Sequence, residues 1–131
     1  MILFDTDICI EILRGNAALI ERRSSYDEEV AVSFMTVAEL YYGAYKSSSA
    51  RKNRSLVEEF LLTVNVIDSV KQIAKRFGEL KARQNRRGMT VADADLLIAA
   101  TAIERCSFLV TGNIRHFEMI EGLKIENWRA D

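Results

Sequence analysis

Hydrophobic and polar positions along the chain alternate between short solid runs and longer spaced patterns. Ile2-Leu3-Phe4 is an unbroken apolar run ending at Asp5, as expected of a strand buried on both faces. Ile8, Ile12 and Leu13, then Ala18 and Leu19, predict two short helices broken at Gly15-Asn16. Val30-Ala31-Val32-Ser33 predicts a second strand. Residues 35–45 read as a helix with Ala38, Tyr41 and Tyr45 near one face, and the polar run 46–49 as a loop. Leu56, Val57, Phe60 and Leu61 mark an amphipathic helix. Val64-Asn65-Val66-Ile67 predicts a third strand. Val70, Ile73, Ala74, Phe77, Leu80 and Gln84 follow a helical period, so residues 69–87 form a long helix closed by Arg86-Arg87-Gly88. After Asp95, residues 92–106 are apolar on nearly every side, the pattern of a central buried helix. Phe108-Leu109-Val110 predicts a fourth strand, and residues 124–127 a fifth.

Strands alternating with helices predict an α/β fold: a three-layer α/β/α sandwich around a mainly parallel sheet of four to five strands. No internal repeat or shift in composition divides the chain, so residues 1–131 read as a single domain. Hydrophobic residues make up 49% and charged residues 28%, too apolar and too balanced for a disordered chain. The formal charge is −1, which excludes a polycation held to nucleic acid by bulk charge. No stretch has the character of a secretion signal or the length of a membrane span. Cys9 and Cys106 both lie in apolar patterns and read as buried free thiols of a reducing, cytoplasmic compartment.

In parallel α/β sheets, ligands bind beyond the carboxyl ends of the strands. Acids and small polar groups gather there: Asp5-Thr6-Asp7 after the first strand, Ser33 and then Glu39 after the second, and Thr111-Gly112-Asn113 after the fourth. Asp93 and Asp95 open the buried helix. Each residue also has a purely structural reading. Asp5 or Asp7 can cap the helix that follows, with Asp7 favoured for that task. Thr36-x-x-Glu39 and Thr90-x-x-Asp93 match capping boxes, although a helix starting at Ser33 or Phe34 would put Glu39 too deep for one. Asn113 can be an N-cap. His116 fits an exposed or half-buried helical turn, and Arg83, Arg86 and Arg87 a solvated helix end. Asp95 is harder to explain structurally, because the helix behind it has hardly any polar face. Clustered carboxylates repel one another unless a divalent cation neutralises them, and an all-oxygen set selects Mg²⁺, or Mn²⁺ in its place, over zinc. Such chemistry suits phosphodiester hydrolysis.

Four segments then resemble one family from first strand to last. They are Ile2-Leu3-Phe4-Asp5-Thr6-Asp7, residues 36–44 around Glu39, residues 94–102 around Asp95, and residues 109–117 around Thr111-Gly112-Asn113, continued by residues 122–128. Together they resemble the PIN-domain ribonucleases, most closely the VapC-type toxins. The resemblance implies a metal-dependent endoribonuclease restrained by a cognate VapB-type antitoxin, acting on RNA and assembling as a homodimer. It implies Asp5 and Asp95 as the principal Mg²⁺-binding acids and Glu39 as a third acid. Asn113 stands where many members carry a fourth acid, and Asp93 is the nearby acid that can replace it. Asp5-Thr6-Asp7 also resembles the Asp-x-Asp signature of haloacid-dehalogenase-type phosphatases, with Asp5 as the phosphorylated group, although Cys9 stands where that motif carries Thr. A third reading is a PIN-like module that binds RNA or protein without cutting. If Asp5, Glu39, Asp93 and Asp95 share one pocket, the rest of the chain carries a mild positive excess.

Overall fold

The computed structural model describes residues 1–129; Ala130 and Asp131, the end of the predicted 1–131 unit, lie outside the described residues. Five strands form one sheet: β1 (Ile2–Phe4), β2 (Val30–Ser33), β3 (Asn65–Ile67), β4 (Leu109–Val110) and β5 (Ile125–Glu126). Every pairing is parallel, in the order β3-β2-β1-β4-β5. Seven helices surround them among the described residues: α1 (Thr6–Leu13), α2 (Ala17–Ser24), α3 (Phe34–Lys46), α4 (Ala50–Leu61), α5 (Lys71–Arg86), α6 (Asp93–Arg105) and α7 (Ile114–Phe117).

Strand alternation sorts the core into two layers. Ile2, Phe4, Val30, Val32 and Val110 face one side, packing with Ile8, Leu19, Leu40, Val57 and Phe60 from α1 to α4. Leu3, Ala31 and Leu109 face the other, packing with Ile73, Leu80, Leu96, Ile98 and Phe117 from α5 to α7. The predicted three-layer sandwich is therefore present, with an all-parallel sheet. Phe4 is fully buried and meets Trp128 edge to face at 5.4 Å between ring centroids, tying the first strand to the segment after the last. No helix among the described residues is long and apolar enough to cross a membrane.

The breaks follow the local chemistry. Gly15 takes φ +85°, and Asn16 accepts the Leu19 N–H at 3.2 Å to start α2. Gly88 at φ +68° stops α5. Arg83 and Arg87 at that end reach Glu121, at 3.5 and 3.3 Å. Cys9 is buried as expected; Cys106 is only half-buried.

The strand order reverses beside β1. The chain passes from β1 to β2 and β3 on one side, then returns as β4 on the other side of β1. In such sheets a switch of this kind places the ligand crevice beyond the carboxyl ends of the flanking strands, here β1 and β4. The register Phe4↔Val110 brings the next residues, Asp5 and Thr111, level with each other at its mouth.

Candidate active site

Asp5 follows a strand with no exposed side chain and is itself only 3% exposed. Its carboxylate is held from two directions. Oδ1 accepts the Thr6 N–H at 2.8 Å, and Oδ2 accepts the Thr111 hydroxyl at 2.7 Å. Thr111 Oγ1 in turn accepts the Asn113 N–H at 2.9 Å. Asp5 is thus the N-cap of α1, the task that the sequence pattern favours for Asp7. The cap does not neutralise it. Burial pushes its pKa up to about 7, Asp7 and Asp95 push in the same direction, and the Thr111 and Thr6 bonds only partly oppose them.

Asp7 is the residue whose structural reading the fold overturns. Its Oδ2 accepts the Gly112 N–H at 2.8 Å and pairs with Arg129 Nη1 at 3.2 Å. Its Oδ1 is buried without a hydrogen-bond partner. Asp7 bears electrostatically on both Asp5 and Asp95, so it belongs to the acid cluster. The clue in the sequence was two acids competing for one capping position.

Asp95 lies in the first turn of α6, half-buried, with burial raising its pKa. The pull toward the charged form comes from His116, whose Nδ1 lies 3.0 Å from Asp95 Oδ2. His116 is exposed, as the turn reading expects, but this contact to Asp95 is not visible in the sequence.

Glu39 lies one and a half turns into α3. Ser33 caps that helix by accepting the Thr36 N–H at 3.0 Å, so Thr36 and Glu39 do not form a capping box. Glu39 instead accepts the Thr6 hydroxyl at 2.7 Å. Thr36 Oγ1 lies 2.9 Å from Thr6 Oγ1, and Ser33 Oγ donates to Thr36 Oγ1 at 3.3 Å. A hydroxyl chain from Ser33 through Thr36 and Thr6 therefore ends on Glu39, with each hydroxyl donating one proton toward the carboxylate.

The other two candidates stand differently. Asp93 is exposed and pairs with Lys81 on α5 at 3.0 Å; α6 is capped by Ala92 without a side-chain bond, so the Thr90/Asp93 box is absent too. Asn113 precedes α7 as its N-cap, also without a side-chain bond, and is half-buried.

These are oxygen donors that suit a hard cation. Burial and mutual charge work against Asp5 and Asp95 as anions, and a divalent ion relieves both penalties. Among the described residues no three His, Cys, Asp or Glu side chains are grouped closely enough to enclose an ion.

The PIN-domain family model matches residues 2–122, a span that holds all of these acids. The chain belongs to the PIN-domain family. Ribonuclease VapC2 of Haemophilus influenzae is 35% identical over 127 residues, covering 96% of each chain. The tRNA(fMet)-specific endonuclease VapC of Shigella flexneri is 33% identical over the same length and shares. The DNA-bound VapBC structure from Salmonella typhimurium superposes with a TM-score of 0.92 at 34% identity, covering 97% of each chain. PIN-domain membership replaces the phosphatase reading of Asp5-Thr6-Asp7. In this PIN domain Asp5, Asp7 and Asp95 lie near enough to act on one another electrostatically, while Asp93 pairs with Lys81.

Proposed function

We propose that this PIN domain is a VapC-type endoribonuclease, the toxin of a toxin–antitoxin pair, that hydrolyses RNA phosphodiester bonds with Mg²⁺. The observation carrying this reading is the proximity of Asp5, Asp7 and Asp95 at the β1/β4 switch, with Asp5 buried and its pKa raised by that burial and by both neighbouring acids. Asp5 and Asp95 are the residues that would hold the ion, with Asp7 and Glu39 beside them. When bound, Mg²⁺ or Mn²⁺ supplies Lewis-acid stabilisation of the charge that develops on the phosphoryl oxygens.

The chain's own groups do the rest. Thr111 and the Thr6 N–H fix both oxygens of Asp5, so its carboxylate needs no reorganisation when substrate arrives. Thr6 orients Glu39, leaving the other Glu39 oxygen to accept a proton from an attacking water. His116 holds Asp95 in position.

The RNA to offer first is tRNA(fMet), the substrate in the name of the Shigella flexneri relative. The partner is a VapB-type antitoxin, as in the Salmonella typhimurium complex. Beside Glu39 lies a groove of about 520 Å³ lined by Ile10, Leu13, Leu40, Tyr42 and Leu56, apolar enough to receive an amphipathic segment of that partner. A homodimer in the cytoplasm completes the proposal.

Protein purified free of any antitoxin is expected to cleave tRNA(fMet) in Mg²⁺, to stop in excess chelator, and to resume when Mg²⁺ or Mn²⁺ is restored. Cleavage that continues undiminished in chelator contradicts the metal-dependent reading. Gel analysis of end-labelled RNA checks it.

A further inference from the structure

An RNA strand approaching this crevice meets several carboxylates. Its own phosphates are repelled unless the rim supplies positive charge. The structure supplies one cation there by a specific arrangement. Arg129 follows Trp128, which is anchored in the core against Phe4. The Arg129 backbone is fixed by its N–H to Asn127 Oδ1 at 2.9 Å. Its guanidinium reaches back across 122 residues of sequence to Asp7, at 3.2 Å.

Gly112 makes this approach possible. A methyl group added at that position would fall 2.5 Å from Arg129 Cδ and 2.8 Å from Asp7 Oδ2. The same Asp7 oxygen is held by the Gly112 N–H. The carboxylate is thus pinned by backbone on one side and steers the guanidinium on the other. The side chain of Asp7 is 13% exposed and that of Arg129 42%. The acid is therefore largely inside, while the Arg129 side chain is well exposed. A guanidinium has five N–H donors in a planar fork, and the contact to Asp7 uses one side of it. The other donors of a planar fork are suited to phosphate oxygens.

We propose that Arg129, oriented by Asp7 and seated over Gly112, binds a backbone phosphate of the RNA at the rim of the acid crevice. This rests on the nuclease reading above and adds to it a specific substrate contact. Asp7 is then a positioning residue for Arg129, and Arg129 touches substrate. The contact is to phosphate, so it supplies affinity and register without reading base sequence.

The test measures binding of a single-stranded oligoribonucleotide in an Asp5→Asn background, where hydrolysis is blocked, across a series of salt concentrations. Arg129→Gln is expected to weaken binding severalfold at low salt. It should also flatten the slope of log affinity against log salt by about 0.7, the value of one lost phosphate contact on a single strand. Arg129→Lys keeps the charge and should recover most of the slope; a purely structural role for Arg129 would not move the slope at all. In the cleavage-competent protein, Arg129→Gln should raise KM more than it lowers kcat. Equal slopes in the two proteins, no RNA binding by either, or tighter binding by Arg129→Gln, as a self-blocking plug would give, each overturn the proposal. Failure of the nuclease reading itself is seen separately, as absence of RNA cleavage by the unsubstituted protein in Mg²⁺.

Discussion

Asp5→Asn is expected to abolish RNA cleavage and, in metal-free buffer, to raise the melting temperature. The first effect should reach about 10³-fold or more, because the residue fixed by Thr6 and Thr111 would no longer offer an anionic oxygen to the cation. The second follows from the titration. Asp5 has a pKa of about 7 in the fold against an ordinary value of 3.8. Between those values the native state holds a proton that the unfolded chain has released. Stability of the metal-free protein should therefore fall as pH rises from about 4 to about 7, and stay depressed above that range. Asparagine carries no charge to bury, so the variant should lose this part of the pH dependence. At pH 7.5 its melting temperature should exceed that of the unsubstituted protein by roughly 3–8 °C. Adding Mg²⁺ should reverse the order, because only the unsubstituted site gains a ligand. Thermal melts across pH, with and without metal, check all of this. A variant that melts lower in chelator and still cuts RNA would contradict both halves.

Phe4→Ala is expected to cost about 3–5 kcal/mol of folding stability. Phe4 is fully buried, lies one residue before Asp5, and closes the layer against Trp128. Truncation leaves a cavity bounded by β1 and the segment after β5, and neither can collapse without shifting the ladder that aligns Asp5 with Thr111. The melting temperature should fall by roughly 10–20 °C. Leu62→Ala also truncates a large apolar side chain, but at a position 87% exposed, and should change stability by no more than about 0.5 kcal/mol. Urea unfolding of the three proteins side by side makes the comparison. Similar losses in both variants would contradict the packing described for the first layer.

Much of this was legible in the sequence, for identifiable reasons. The solid run 2–4 suits a strand covered on both faces and 30–33 a second strand, and both are fully buried strands. Residues 92–106, apolar on nearly every side after Asp95, have the pattern of a central buried helix, and α6 has its apolar residues Leu96, Ile98, Ala99, Ala100 and Ala102 buried. Asp5 and Asp95 stood out because each stands at the end of such a segment, where an unpaired charge is costly. The contacts made by Asp7, Arg129 and His116 were not legible. Asp7 meets Arg129 across 122 residues, and Asp95 meets His116 on a different helix; both are tertiary contacts, which local spacing does not encode. Local rules also overreached at three positions. Thr36/Glu39 and Thr90/Asp93 match capping boxes in sequence, but Ser33 starts α3 earlier and Asp93 turns outward to Lys81. Asp7 looked like a cap because either acid of Asp5-Thr6-Asp7 satisfies that pattern, and only the direction of β1 shows that Asp5 takes it.

Asp5 and Asp95 stand at the centre of the proposed chemistry, and a crystal soaked in Mn²⁺ and measured for anomalous scattering tests their part directly. The expected result is a peak in contact with the carboxylates of both residues, inside the crevice beyond β1 and β4. No peak at saturating Mn²⁺, or one confined to the exposed Asp93 side of α6, would contradict it.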